Sequence, residues 1–104
     1  MARVEKGDPY NTKYEAVAAS QTDQVMGATG KVGDIFDRLI AIVATSGANG
    51  TVAIKDGSGS AISLVPANAA VGTYVIELGI KSTDGAWKVT TGSAATAIGI
   101  GRFS

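Results

Sequence analysis

The stretch Asp34-Ile35-Phe36-Asp37-Arg38-Leu39-Ile40-Ala41-Ile42-Val43-Ala44-Thr45 admits two readings, and the choice between them sets the fold class. As a helix it would align Ile35, Leu39 and Ile42 at the 3.6-residue period. As a strand it places Ile35, Asp37, Leu39, Ala41 and Val43 on one face and Phe36, Arg38, Ile40 and Ile42 on the other. The β-branched residues toward its end favour the strand, and the apolar character of both faces there predicts cover on both sides.

The residues downstream repeat the pattern in shorter pieces. Ser46-Gly47-Ala48-Asn49-Gly50 reads as a turn, and Thr51–Lys55 as an alternating strand with Val52 and Ile54 inward. Asp56-Gly57 is a strong hairpin signal, because Gly supplies the positive φ that a tight turn demands. The chain then returns through Ala61–Val65 with Ile62 and Leu64 inward. Thr73–Leu78 carries Tyr74, Ile76 and Leu78 on one face, and Ile80 is expected to continue it past Gly79. After the Ser82-Thr83-Asp84-Gly85 turn, Ala86–Thr91 turns Trp87 and Val89 inward. Thr96–Phe103 sets Ile98 and Ile100 against an opposite face of Gly99 and Gly101, where another chain segment would come close. Turns every 8–12 residues between short strands predict an all-β, antiparallel sandwich or barrel.

Upstream the character changes. Residues 1–30 hold Pro9, Tyr10 and Tyr14 together with most of the Gln and Asn, and their period is unclear. They are read as an extended N-terminal arm ending at Gly27-Ala28-Thr29-Gly30, with the β-sandwich domain spanning 31–104. If the arm lends one or two strands, an eight-stranded jelly roll results.

Composition narrows the function. The chain of 104 residues has room for one domain and a single core. Nine basic and nine acidic residues cancel, so no general attraction to nucleic acid or anionic membranes is expected. Cys and His are both absent, which removes thiolate nucleophiles, the commonest general base and the main soft metal ligands. No enzyme activity, cofactor or metal is therefore expected. The N-terminus lacks an apolar signal region, and the longest aliphatic run, Leu39–Ala44, is far short of the about 20 residues that span a bilayer. Synthesis in the cytoplasm and no membrane partner are expected.

Single motifs add little chemistry. Gly27-Ala28-Thr29-Gly30-Lys31-Val32 lacks the glycine spacing of a phosphate loop and the hydroxyl after its lysine. Asp56-Gly57-Ser58-Gly59-Ser60 has one acid where a calcium loop needs several oxygens. Asp34 and Asp37 fall on opposite faces of a strand, which argues against a carboxylate dyad, and Glu77 is expected beside Lys55 or Lys81. Trp87, the only Trp, is assigned to the core rather than to a sugar-stacking platform.

Several segments together resemble small virion proteins of tailed bacteriophages. They are Gly33-Asp34, Arg38-Leu39-Ile40, Val52–Ser60, Leu78–Ser82, Gly85–Gly92 and Ile98-Gly99-Ile100-Gly101-Arg102-Phe103. The resemblance covers roughly residues 33–104 and leaves the arm unmatched. It implies a capsid decoration (cement) protein on the virion surface, with the major capsid protein as its partner. It also implies a homo-oligomer, a trimer ahead of a dimer. A head fibre, collar or tail protein is the alternative, and a carbohydrate-binding module a more distant one. The family offers no catalytic residues. In this reading Arg3, Tyr10, Lys13 and Tyr14 of the arm contact the capsid or a sister subunit.

Overall fold

The computed structural model describes residues 12–104, and the chain is all-β, with no helix among those residues. Eight strands follow one another: β1 (Lys13–Val17), β2 (Gln24–Val25), β3 (Ile35–Val43), β4 (Val52–Asp56), β5 (Ile62–Val65), β6 (Gly72–Lys81), β7 (Trp87–Thr91) and β8 (Ala95–Arg102). They form two four-stranded antiparallel sheets, ordered β1-β8-β3-β6 and β2-β7-β4-β5. Only β4 and β5 are joined as a hairpin within one sheet; every other connection crosses between sheets. The pairs β4–β5, β3–β6, β2–β7 and β1–β8 nest around that hairpin, so the Asp56-Gly57 turn sits at the apex of a long folded ribbon.

One core lies between the sheets. The first sheet contributes Val17, Phe36, Leu39, Ala41, Val43, Ala95 and Ala97; the second contributes Val52, Ile54, Val65, Trp87 and Val89. Phe36 stands edge-on to Trp87 and to Phe103, with ring centroids 5.8 and 5.2 Å away. The small face of β8 makes room for this cluster. A Cβ on Gly99 would meet Phe36 Cζ at 3.2 Å, and one on Gly101 would meet Phe103 Cζ at 2.9 Å. The close approach expected from the glycine alternation is thus present, and Phe36, Phe103 and Met26 are what come close.

Several inward assignments hold and others shift. Val52, Ile54, Trp87 and Val89 are buried as expected. In β3 an irregularity between Phe36 and Arg38 breaks the alternation, so Phe36 faces the core together with Leu39, Ala41 and Val43. The second face of β3 lacks the expected cover: Ile42 is 40% exposed. In β5 the register slips at Leu64, which buries Val65 and leaves Ile62 exposed. Gly79, at φ +62°, interrupts β6, and Ile80 beyond it is exposed.

The stretch read as an arm divides. Arg3 and Tyr10 lie outside the described residues. Lys13–Val17 pairs with β8 and Gln24–Val25 with β7, while Val17 and Met26 are buried in the core. Glu15 ties these pieces together by accepting hydrogen bonds from Gln24 Nε2 and the Gly27 amide, each at 2.7 Å. Truncation therefore has a sharp boundary. Removing residues 1–11 keeps all eight described strands and serves as the reference for a longer truncation. Removing residues 1–20 deletes β1 and the buried Val17 side chain, a loss of at least about 1.5–3 kcal/mol from burial alone. Thermal unfolding of the two truncations checks this, and equal melting temperatures would refute it.

At the ribbon apex two carboxylates lock two turns. Asp56 accepts from the amides of Thr83 (2.8 Å), Asp84 (3.0 Å) and Gly85 (3.3 Å) and from the Thr83 hydroxyl (3.0 Å). Asp84 reciprocates, accepting from the Ser58 amide at 2.8 Å and its hydroxyl at 2.9 Å. Partial desolvation works to raise the Asp56 pKa, but the donors around it outweigh this and hold it below its ordinary 3.8. The Ser58 amide and hydroxyl likewise lower Asp84. A carboxyl depressed in the folded state adds stability above its unfolded pKa and loses that contribution as pH falls through the folded value. Melting temperature is expected to be flat from pH 7 to about 5 and to fall below about pH 4. Asp56→Ala should cost about 1–2 kcal/mol, the partial exposure of the site keeping it at the lower end for charged hydrogen bonds, and should flatten the acid limb. A Asp56→Ala curve parallel to wild type at low pH would refute the assignment.

Candidate interaction face

Of the residues considered for acid–base chemistry, Asp34 and Glu77 have partners within the fold. Asp34 is buried; its carboxylate accepts from the Ser104 amide (2.9 Å) and hydroxyl (2.8 Å) and the Lys31 amide (3.3 Å), and its carbonyl accepts from the Trp87 indole at 3.0 Å. Glu77 pairs with Arg38 Nε at 3.2 Å, and not with Lys55 or Lys81 as expected. Lys55 instead donates to Asp23 at 3.2 Å, and this hydrogen bond leads the effects that lower the Asp23 pKa. Asp37, Arg38 and Glu77 line an open concavity of about 510 Å³ with Thr12, Leu78, Gly79 and Ile100. No group of three or more His, Cys, Asp or Glu among the described residues is placed to hold a metal. Trp87 is 2% exposed, so its ring has no free face on which a sugar could stack.

What the fold does present is the outer face of the first sheet. Side chains alternate across a strand, so the partners of the inward residues point to solvent together. In register across the sheet, Ala16 lies opposite Ile98, Ile98 opposite Ile40, and Ile40 opposite Val75. The next row runs Tyr14, Ile100, Arg38 and Glu77; on the other side Ile42 lies between Thr96 and Thr73. An aliphatic band thus crosses all four strands, and Arg38 and Glu77 stand alongside its Ile40 and Val75. Tyr14 is 76% exposed and Val75 59%, large values for such side chains on the two edge strands, β1 and β6, of one face. A contiguous apolar patch of this kind marks an interaction site, whereas single exposed apolar residues do not.

The expected contact residues that are described do not share one face. Lys13 and Tyr14 are neighbours in an unbroken strand, so they point to opposite sides of it, and only Tyr14 joins the outer face. Ile40, Ile42, Ile98 and Val75 were not singled out from the sequence. The signal was present in the doubly apolar reading of Asp34–Thr45, which placed Ile40 and Ile42 under a second layer that none of the described residues forms.

Comparison with protein-family models, with curated proteins and with solved structures finds no match to this chain.

Proposed function

We propose that this chain is a decoration (cement) protein of a tailed bacteriophage head, docking on the lattice of the major capsid protein through the outer face of its first sheet. The observation that carries the reading is the aliphatic band Ala16–Ile98–Ile40–Val75 with Tyr14 beside it, a sheet face over which no described residue forms a second layer. The strand orders β1-β8-β3-β6 and β2-β7-β4-β5 support a sandwich of the jelly-roll type, an architecture used in viral capsids and lectins alike. The virion resemblance of residues 33–104 favours the capsid over the sugar, as does the burial of Trp87.

The mechanism requires no bond chemistry. A rigid two-sheet body covers the seam between capsid subunits, and the buried apolar area is gained only on the assembled shell. Binding the lattice in preference to free subunits stabilises the shell by mass action. Many copies on a repeating surface make a modest single contact sufficient, because one shell offers many adjacent sites.

The test is co-sedimentation of purified protein with heads of the phage that encodes it, before and after expansion. Saturable binding at a fixed ratio to capsid protein, with heads that resist a higher temperature once coated, is the expected result. Protein that stays in the supernatant with both kinds of head would overturn the proposal.

A further inference from the structure

The four sheet edges differ in how they are guarded. β2 has two residues, and β5 has four, with a register slip and Pro66 directly after it. β1 is five residues long and carries Lys13 and Glu15. Short strands, bulges, charge and proline are the usual means of keeping an edge from pairing with another chain. β6 has little of this. It is ten residues long, β3 occupies one side, and no strand among the described residues pairs with the other. From Gly72 to Leu78 it holds no proline and a single charge, Glu77, which already pairs with Arg38.

We infer that β6 is a self-association edge, pairing antiparallel with β6 of a second copy about a two-fold axis at Val75. A two-fold contact brings a strand against itself reversed, so the sequence must match its own mirror order. Thr73-Tyr74-Val75-Ile76-Glu77 does so about Val75: Tyr74 meets Ile76 of the second copy, Thr73 meets Glu77, and Val75 meets Val75. Moving the axis one residue in either direction sets Glu77 against Val75 or Val71, and moving it to Glu77 sets two carboxylates opposite each other, which is unfavourable. The same axis continues the outer face. The row Ala16–Ile98–Ile40–Val75 runs on into its symmetry mate, giving one aliphatic band across an eight-stranded sheet. The positive φ at Gly79 ends the straight part of the edge and so limits the length of the pairing. A strand contact of this length is small for a specific interface, so the dimer is expected to form on the order of 1–100 µM. It is two-fold, in contrast to the three-fold association that the family resemblance favours.

Single cysteines test both the pairing and its register, since the chain has none of its own. Val75→Cys places two sulfurs across the axis on residues whose Cα atoms are about 4.5–5.5 Å apart, within reach of a disulfide. Thr73→Cys places them about 13 Å apart along the strand, out of reach. Both positions are exposed, so both variants should fold. Mild oxidation of the full chain near 100 µM should convert Val75→Cys to covalent dimer at least ten-fold faster than Thr73→Cys, and wild-type protein should sediment as a monomer–dimer mixture. Equal cross-linking rates, a trimer, or a monomer persisting to millimolar concentration would overturn the inference. No capsid enters the experiment, so its outcome is independent of capsid binding.

Discussion

Phe36→Ala is expected to cost about 3–5 kcal/mol, the largest stability loss of any single truncation in this core. Phe36 is fully buried and touches three structural units at once: Trp87 of β7, Phe103 beyond β8, and the glycine face of β8 itself. Each edge-on ring contact adds about 0.5–1.5 kcal/mol beyond area burial. The neighbours are poorly placed to fill the gap, because Gly99 and Gly101 have no side chains to move into it. For a domain of this length each kcal/mol shifts the melting temperature by about 4–8 °C, so the variant should melt roughly 12–40 °C lower. Because single domains are stable by only about 5–15 kcal/mol, a substantial unfolded fraction is expected at 37 °C. Urea titration of wild type and Phe36→Ala measures this directly; a loss below about 1 kcal/mol would mean that the three rings do not form the centre of the core.

The Phe36 site also shows where sequence reasoning succeeds and fails. Period-two alternation correctly places Val52 and Ile54, and Trp87 and Val89, because β4 and β7 run without interruption through the middle of the second sheet. It fails for Phe36, because one irregular step before Arg38 reverses the parity, and such a step leaves no mark in hydropathy. The slip at Leu64 misleads in the same way. The Asp56-Gly57 signal correctly marks the β4–β5 hairpin, a contact between near neighbours in the chain. The pairing of β1 with β8 joins Lys13 to Gly101, a separation that no local pattern encodes. For that reason Lys13–Val17 reads as arm from composition alone, although Val17 belongs to the core.

The candidate face was legible in one respect. An aliphatic strand with two apolar faces is the pattern of a strand buried on both sides. In this chain β3 meets the core on one side only. The disagreement between pattern and burial singles out the outer face of the first sheet, where Ile42 and Val75 are exposed among the described residues. The charge balance points the same way. With a formal charge of zero and few charged side chains on this face, long-range attraction contributes little, and affinity has to come from area covered at contact.

Tyr14→Ala is expected to weaken binding to expanded heads by about 30- to 1,000-fold per site, the range for losing an aromatic anchor worth 2–4 kcal/mol. The ring is mostly in water in the free chain, so its removal should leave the melting temperature within about 2 °C. That separation between binding and stability is the signature of a contact residue. Ile42→Asp should act similarly by a different route, since it forces a carboxylate to lose water against an apolar partner. Lys13→Ala provides the internal control: its side chain leaves the same strand on the opposite side and should change affinity less than about three-fold. Because many weak sites on one shell can mask a lost contact, binding has to be compared at low occupancy or by competition against labelled wild type. Wild-type affinity for both Tyr14→Ala and Ile42→Asp would move the docking surface away from this face. Loss with Lys13→Ala alone would transfer it to the edge of β1, where the chain enters from residues 1–11, and truncation of those residues would then abolish binding while leaving all eight strands in place.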